Sequence, residues 1–239
     1  MLQTYKTKLI LKQQLTSDVF LFRFELVDPL QINFQAGQYM MIKINEQSRL
    51  FSICSPSGET RYFELIIQLI PDGIASEYFK NLNIGDPVEF QGSAGAFILR
   101  ENNRNKIFLA TGTGVAPIRS IINKCQMLNI KCQNYLFWGL KTFQDVYLFD
   151  ELKQITNTNS NFHFQICLSR EADLLKIPEN DRKYFFLGHI DPTSSRLRGA
   201  GVLHGSDYYI CGSRTVVESL QTKLLEIGVQ KENIIIEKF

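Results

Sequence analysis

The stretch "NKIFLATGTGVAP", Asn105–Pro117, decides the architecture of the second half of the chain. An apolar run ends at two closely spaced glycines, Gly112 and Gly114, and "VAPIRSIINKCQML" (Val115–Leu128) then carries apolar residues at helical spacing. The pattern reads as strand, tight turn, helix. Glycines let the backbone turn sharply and approach a ligand closely. The N–H groups at the start of the helix, with its dipole, favour a pyrophosphate. The spacing is Gly112-x-Gly114-x-x-Pro117, so the third glycine of the usual dinucleotide fingerprint is absent. On these residues alone, nucleotide binding and a plain strand–helix connection stand about level. No Gly-Lys-Ser/Thr follows, which disfavours NTP hydrolysis of the P-loop kind.

Downstream, strands and helices alternate. "QNYLFWGL" (Gln133–Leu140), "NFHFQICLS" (Asn161–Ser169), "SDYYICGS" (Ser206–Ser213) and "ENIIIEKF" (Glu232–Phe239) read as strands. "VYLFDELKQI" (Val146–Ile155) and "TVVESLQTKLLEIGV" (Thr215–Val229) read as helices. This alternation predicts a doubly wound parallel sheet. In such a sheet ligands lie beyond the carboxyl ends of the strands. The turn in "YYICGSR" (Tyr208–Arg214) therefore shares an edge with Gly112. Taken alone, Cys211 reads as a small buried hydrophobe.

Upstream, the polar segment "RENNRN" (Arg100–Asn105) lacks periodicity and reads as a linker. Before it, short β-like runs follow one another: "YKTKLILK" (Tyr5–Lys12), "VFLFRFELV" (Val19–Val27), "QYMMIKI" (Gln38–Ile44), "RLFSIC" (Arg49–Cys54), "YFELIIQLI" (Tyr62–Ile70) and "NIGDPVEF" (Asn83–Phe90). Their spacing predicts a sandwich or barrel, with one short helix near "IASEYFKNL" (Ile74–Leu82). Two features are awkward for plain structure. "RLFSICSP" starts a strand with Arg49 and places Ser52 inside it, and "PDGIASEYF" sets Gly73 and Ser76 at a helix start. A solvated strand end explains the first as well as a ligand does, and an ordinary helix start is the better reading of the second taken alone.

Composition bounds the partners. The 239 residues are 44% hydrophobic and 21% charged, enough for a packed core of one large or two small domains. With 26 basic against 24 acidic residues the formal net charge is +2, so charge makes no case for nucleic acid. The N-terminus has no apolar signal-peptide region, and no run of about 18 apolar residues suggests a transmembrane helix. Cys54, Cys125, Cys132, Cys167 and Cys211 form no CxxC pair, which suits reduced thiols in a cytoplasmic protein and leaves no ligand set for an iron–sulfur cluster. His163, His189 and His204 lack metal-ligand spacing and read as surface or internally satisfied residues, so no metal is expected.

Together the motifs resemble the ferredoxin–NADP reductase superfamily over nearly the whole chain. "FQAGQYMMI" (Phe34–Ile42), "RLFSICS" (Arg49–Ser55), "PDGIAS" (Pro71–Ser76) and "GDPVEFQGSAGAF" (Gly85–Phe97) are similar to its flavin half, with Ser93 where the family has proline. "GTGVAP" (Gly112–Pro117), "FWGLKTFQDVYLFDEL" (Phe137–Leu152), "YICGS" (Tyr209–Ser213) and the final "EKF" (Glu237–Phe239) are similar to its pyridine-nucleotide half, with Arg214 where a small residue or proline is common. The resemblance implies two domains: an FAD-binding antiparallel β-barrel over residues 1–101 and an NAD(P)-binding α/β parallel sheet over 102–239.

It also implies roles. Arg49 pairs with a flavin phosphate, which suits its planar fork. Leu50 and Phe51 line the flavin, and Ser52 hydrogen-bonds near its reactive nitrogen. Phe51 replaces the commoner tyrosine and removes one hydroxyl. Gly73, Ile74, Ala75 and Ser76 hold the second phosphate, favouring FAD over FMN. Gly112, Thr113, Gly114 and Pro117 take the nicotinamide nucleotide's pyrophosphate. Thr113, Cys211 and Gly212 flank the nicotinamide, Glu237 lies near Cys211, and Phe239 covers the flavin until nicotinamide displaces it. Ser52, Cys211, Glu237 and Phe239 are thus the expected catalytic set. Ser169 and Arg170 of "LSRE" (Leu168–Glu171) are candidates for the extra phosphate of NADP, and both NADH and NADPH stay open as donors. The implied activity is hydride transfer from NAD(P)H to FAD, then electron transfer to a separate acceptor: a ferredoxin, an oxygenase component, a quinone, a haem protein or free flavin. A reductase that uses flavin as substrate and a non-catalytic module that keeps the fold are the rival readings.

Overall fold

The computed structural model describes residues 2–129, 131–194 and 205–239. They form two compact units, Met1–Arg100 with Ala116–Leu128, and Glu101–Val115 with Asn129–Phe239. His204 lies outside the described residues.

The first unit is a six-stranded antiparallel sheet of β1 (Gln3–Gln14), β2 (Val19–Asp28), β3 (Tyr39–Ile44), β4 (Gln47–Ser52), β5 (Tyr62–Gln68) and β6 (Pro87–Ala94). The spatial order is β4-β3-β6-β1-β2-β5. The outermost strands meet again through a bridge between Ile53 and Leu65, which curls the sheet toward a barrel. Side chains alternate as a two-sided strand requires: in β1, Tyr5, Thr7 and Leu9 are buried while Lys6, Lys8 and Ile10 face out. The interior is aromatic. Phe24 and Phe63 meet Phe90 edge-on with ring centroids 4.9 and 5.1 Å apart. Helix α1 (Ile74–Asn81) contributes Phe79, fully buried and 5.2 Å from Phe22. Each such ring contributes about 1.5–3 kcal/mol by leaving water.

The second unit holds β7 (Asn105–Thr111), β8 (Asn134–Leu140), β9 (Phe162–Leu168), β10 (Phe185–Leu187), β11 (Ser206–Gly212) and β12 (Ile234–Lys238). All pairs are parallel, in the order β10-β9-β8-β7-β11-β12. Strands covered on both faces read as continuous apolar runs, and every residue of β11 is buried. Helix α2 (Val115–Met127) follows β7 in the chain, and from Ala116 onward it belongs to the first unit. Helices α3 (Phe149–Thr158) and α4 (Arg214–Glu226) pack on β9 and on β11 with β12, respectively. α3 starts three residues later than the apolar spacing predicts. Leu148 takes a left-handed conformation (φ 58°) and Tyr147 stays outside the helix, buried. β10 spans only three residues and carries too little pattern to be read from sequence.

Where β7 and β11 begin, a buried charge cluster ties them. Asp207 pairs in register with Lys106, whose Nζ donates to Asp207 Oδ2 at 3.0 Å, and both are essentially sealed from solvent. Arg104 Nε and Asn102 Nδ2 donate to the same carboxylate at 2.9 Å. Among the described residues no helix is long and apolar enough to cross a membrane, and no cluster of His, Cys, Asp and Glu is arranged to hold a metal.

Candidate flavin and nucleotide sites

In the second unit the chain proceeds from β7 to β8 on one side and returns through β11 on the other. This reversal of strand order is where open α/β sheets bind ligands. At its carboxyl edge, β7 runs into a single 3₁₀ turn, Gly112–Gly114, and then into α2. Two glycines there leave no space for a side chain. A Cβ on Gly114 would lie 2.3 Å from the Cys211 carbonyl oxygen, and one on Gly212 would lie 2.1 Å from Thr111 Oγ1. Gly112 has φ +53°, a left-handed conformation that glycine adopts without penalty. Its carbonyl oxygen accepts hydrogen bonds from Trp138 Nε1 at 2.9 Å and the Tyr147 hydroxyl at 3.3 Å. Those two rings meet edge-on at 4.7 Å. Pro117 sits in the first turn of α2, where a missing N–H costs nothing.

Cys211 pairs in register with Glu237, and its Sγ is 4.0 Å from Glu237 Oε1. Burial, reinforced by the Glu237 charge, pushes the thiol well above its ordinary range. Cys211 is therefore a protonated, uncharged group at neutral pH. The tail is clipped over this turn. Phe239 N–H donates to the Gly212 carbonyl and Arg214 N–H donates to the Phe239 carbonyl, both at 3.3 Å. Lys238 Nζ donates to Glu218 at 2.9 Å. Phe239 itself is 67% exposed. At the end of β9, Ser169 Oγ donates to the Leu140 carbonyl at 3.2 Å and Arg170 N–H donates to the Lys141 carbonyl at 2.8 Å. The Arg170 side chain is exposed. Two pressed small-residue turns and a helix start suit the diphosphate of a dinucleotide.

In the first unit, β4 carries Arg49, Leu50, Phe51 and Ser52 as an outer strand paired with β3. Arg49 is half-buried and donates to the Ser48 carbonyl and the Gln47 side-chain oxygen. Leu50 is exposed, whereas Phe51 packs edge-on against Phe79 at 5.0 Å. Gly73 precedes α1, and no side chain caps that helix start. Ser76 is buried, and its Oγ accepts the Ile70 N–H at 2.8 Å, so this hydroxyl shapes the turn before the helix. The early N–H groups of Ile74 and Ala75 are the donors an anion would use. Beside them opens a cleft of about 490 Å³ lined by Ile44, Asn45, Asp72, Ile74, Glu77 and Tyr78, among others. An uncapped helix start and an arginine on one unit suit a flavin nucleotide's phosphates.

Three further groups escape a motif reading. Glu64 interrupts the buried run Phe63–Ile67 and is 3% exposed. It accepts Arg23 Nη2 at 2.6 Å on one side and Arg119 Nη1 at 2.8 Å on the other. Arg119 also donates to the Cys54 carbonyl at 3.2 Å. A carboxylate inside an apolar run signals a partner by its cost alone, but not which arginines supply it.

Two family models match the chain in succession. The model of the oxidoreductase FAD-binding domain matches residues 6–98, and that of the oxidoreductase NAD-binding domain matches residues 108–222. The reductase component of propane 2-monooxygenase from Rhodococcus jostii is 24% identical over all of this chain and 64% of its own length. Ferredoxin–NADP reductase B of Sorangium cellulosum is 26% identical over 99% of this chain and 98% of its own. The chain spans about three-fifths of several curated relatives, among them the electron transfer component of toluate 1,2-dioxygenase from Pseudomonas putida at 60%. Among solved structures, a cytochrome P450 reductase from Amycolatopsis superposes with a TM-score of 0.88 at 22% identity, over all of this chain and 70% of its own. A ferredoxin NADP+ reductase from Neisseria gonorrhoeae with bound FAD and NADP gives 0.81 at 20%, over 98% of both chains. With FAD as the cofactor of a curled antiparallel sheet and a nicotinamide nucleotide as the ligand of a parallel one, the chain belongs to the ferredoxin–NADP reductase superfamily.

Proposed function

We propose that the chain is a cytoplasmic reductase module that oxidises NAD(P)H, with an FAD-binding domain over residues 1–101 and an NAD(P)-binding domain over 102–239. The observation that carries the reading is the close approach of Gly114 to Cys211, which sets two small-residue turns side by side at the reversal of strand order. FAD, when bound, accepts a hydride and releases electrons one at a time.

The protein's part is positioning. Arg49 neutralises one flavin phosphate, the start of α1 at Gly73–Ser76 takes the other, and Phe51 and Ser52 border the ring. Gly112, Thr113 and Gly114 take the nucleotide's diphosphate. Cys211, kept protonated, places no charge against the nicotinamide, and Glu237 stands behind it. Phe239 is the movable cover: its backbone is fixed to Gly212 and Arg214 while the residue stays largely exposed. The acceptor is a separate protein, a ferredoxin or an oxygenase component, a reading supported by relatives named as reductase components.

The visible spectrum of the purified protein tests the whole reading. A yellow protein bleached anaerobically by NADH or NADPH, and reoxidised by a ferredoxin, is expected. A colourless protein that turns over only with added flavin sinks it in favour of free-flavin reduction, and a protein inert to flavin and nucleotide sinks both. Arg170 is proposed to read the extra phosphate of NADPH, so Arg170→Ala raises KM for NADPH about tenfold or more and leaves NADH nearly unchanged. Equal effects on both nucleotides sink that assignment.

A further inference from the structure

The segment Ile53–Ser55, which follows Ser52 directly, is unusually well tied. Ile53 N–H donates to the Gln38 carbonyl and Cys54 N–H to the Glu64 carbonyl, both at 2.9 Å. Ser55 Oγ accepts the Glu64 N–H at 3.1 Å, and Ser120 Oγ donates to the Ser55 carbonyl at 2.7 Å. Arg119 donates to the Cys54 carbonyl and to Glu64 Oε2. Cys54, Ser55, Glu64 and Ser120 are buried, so little solvent competes for these bonds. Arg119 and Ser120 come from α2, the helix that opens one residue after Gly114.

We propose that Arg119 is a positioning residue for the flavin motif: through Glu64 and the Cys54 carbonyl it fixes Ile53–Ser55, and with it the presentation of Ser52. The inference rests on the reading that Ser52 borders the flavin ring. A residue inside the nucleotide-binding sequence block thereby sets the geometry of the flavin-binding one. Arg23 supplies the internal control. It holds the same carboxylate, at Oε1, but from β2, and stacks over the Tyr62 ring at 4.4 Å. An arrangement that only neutralised Glu64 would use both arginines alike. The positioning role belongs to Arg119, because it also binds the carbonyl two residues beyond Ser52.

The test compares Arg119→Gln, Arg119→Lys, Arg23→Gln and Ser120→Ala in the full chain, reading apoprotein melting temperature, FAD dissociation constant by flavin fluorescence, and the visible absorption and circular dichroism of bound FAD. Both glutamine variants lower the melting temperature. Arg119→Gln additionally weakens FAD at least tenfold and changes the flavin spectrum. Arg23→Gln keeps FAD affinity within about twofold of the parent with the parental spectrum. Arg119→Lys recovers part of the loss. Equal effects of the two glutamine variants on FAD, or none from either, overturn the proposal. Should Arg119→Gln fail to fold, Ser120→Ala decides: it removes one uncharged tie to Ser55, and an unaltered affinity and spectrum overturn the proposal. A parent that binds no FAD overturns the flavin reading and this one with it, whereas a parent that binds FAD with indifferent variants overturns only this one.

Discussion

Gly114 lies against Cys211 so closely that a methyl group on it would meet the Cys211 carbonyl oxygen at 2.3 Å. The obstacle is backbone, which cannot swing aside as a side-chain end can. Overpacking of this kind costs about 1–3 kcal/mol, occasionally more. Gly114→Ala is therefore expected to push the two turns apart and raise the nucleotide dissociation constant at least tenfold, with FAD content retained. Gly112→Ala is a different case. Nothing lies within 4 Å of its Cβ position, so the cost is the left-handed φ alone, about 1–2 kcal/mol. It should lower the melting temperature with a smaller effect on nucleotide affinity. Titration with NAD+ and NADP+ alongside thermal melts separates the two, and equal nucleotide affinities in both variants would contradict the role assigned to the close approach.

Arg49 is half-buried, on an outer strand, and its guanidinium donates to its own strand neighbours Ser48 and Gln47. Its removal should disturb the fold by no more than about 0.5 kcal/mol. A lost charge-assisted bond to phosphate is worth about 1.5–3 kcal/mol, roughly a 10- to 150-fold weakening. Arg49→Ala is thus expected to release FAD on dilution while the apoprotein melts within a few degrees of the parent. Arg49→Lys restores part of the affinity, since it keeps the charge but not the fork. An Arg49→Ala protein that keeps FAD as tightly as the parent returns Arg49 to an ordinary strand end.

Burial alone would raise the Asp207 carboxyl, but the bonds from Asn102, Lys106 and Arg104 outweigh it and hold the group below its ordinary value. A depressed folded-state pKa means stability that is full above the unfolded value, about 3.9, and is lost as pH falls through the folded one. Asp207→Asn leaves Lys106 buried beside a neutral partner and is expected to cost about 3–5 kcal/mol at pH 7. Urea unfolding of parent and variant should give a gap that is constant from pH 7 to about 5 and narrows below about 4. A gap that stays constant to pH 3 would rule out the ion pair as its origin.

The barrel, the parallel sheet and the two glycine turns are legible in sequence because each rests on local pattern: alternation in β1, apolar runs in β7 and β11, small residues at strand ends. What is not legible depends on contacts distant in the chain. Glu64 meets Arg119 across 55 positions and Arg23 across 41. No local pattern pairs them, although a carboxylate in a buried run announces that partners exist. Trp138 and Tyr147 grip the Gly112 carbonyl from 26 and 35 residues away. The late start of α3 turns on one left-handed residue, Leu148, a conformation leucine does not advertise. Ser76 Oγ accepts the Ile70 N–H across six positions, a bond visible only once the turn is built.

Cys211 provides the last test, because its environment fixes the protonation state on which its proposed place beside the nicotinamide depends. Its thiol is raised first by burial and then by the charge of Glu237. The thiolate is the reactive form, so native Cys211 should resist iodoacetamide at pH 8. Cys132, also raised by burial but only half-buried, should label ahead of it. Because the folded pKa lies above the ordinary thiol value of about 8.5, the protein loses stability as pH rises past that value toward the folded one. Glu237→Gln removes the smaller of the two causes, so it should speed Cys211 labelling modestly while burial keeps the residue slower than Cys132. Mass spectrometry of timed alkylation reads both rates. Rapid labelling of Cys211 in the native parent at pH 7 would show a thiolate there, and the uncharged surface proposed for the nicotinamide would be wrong.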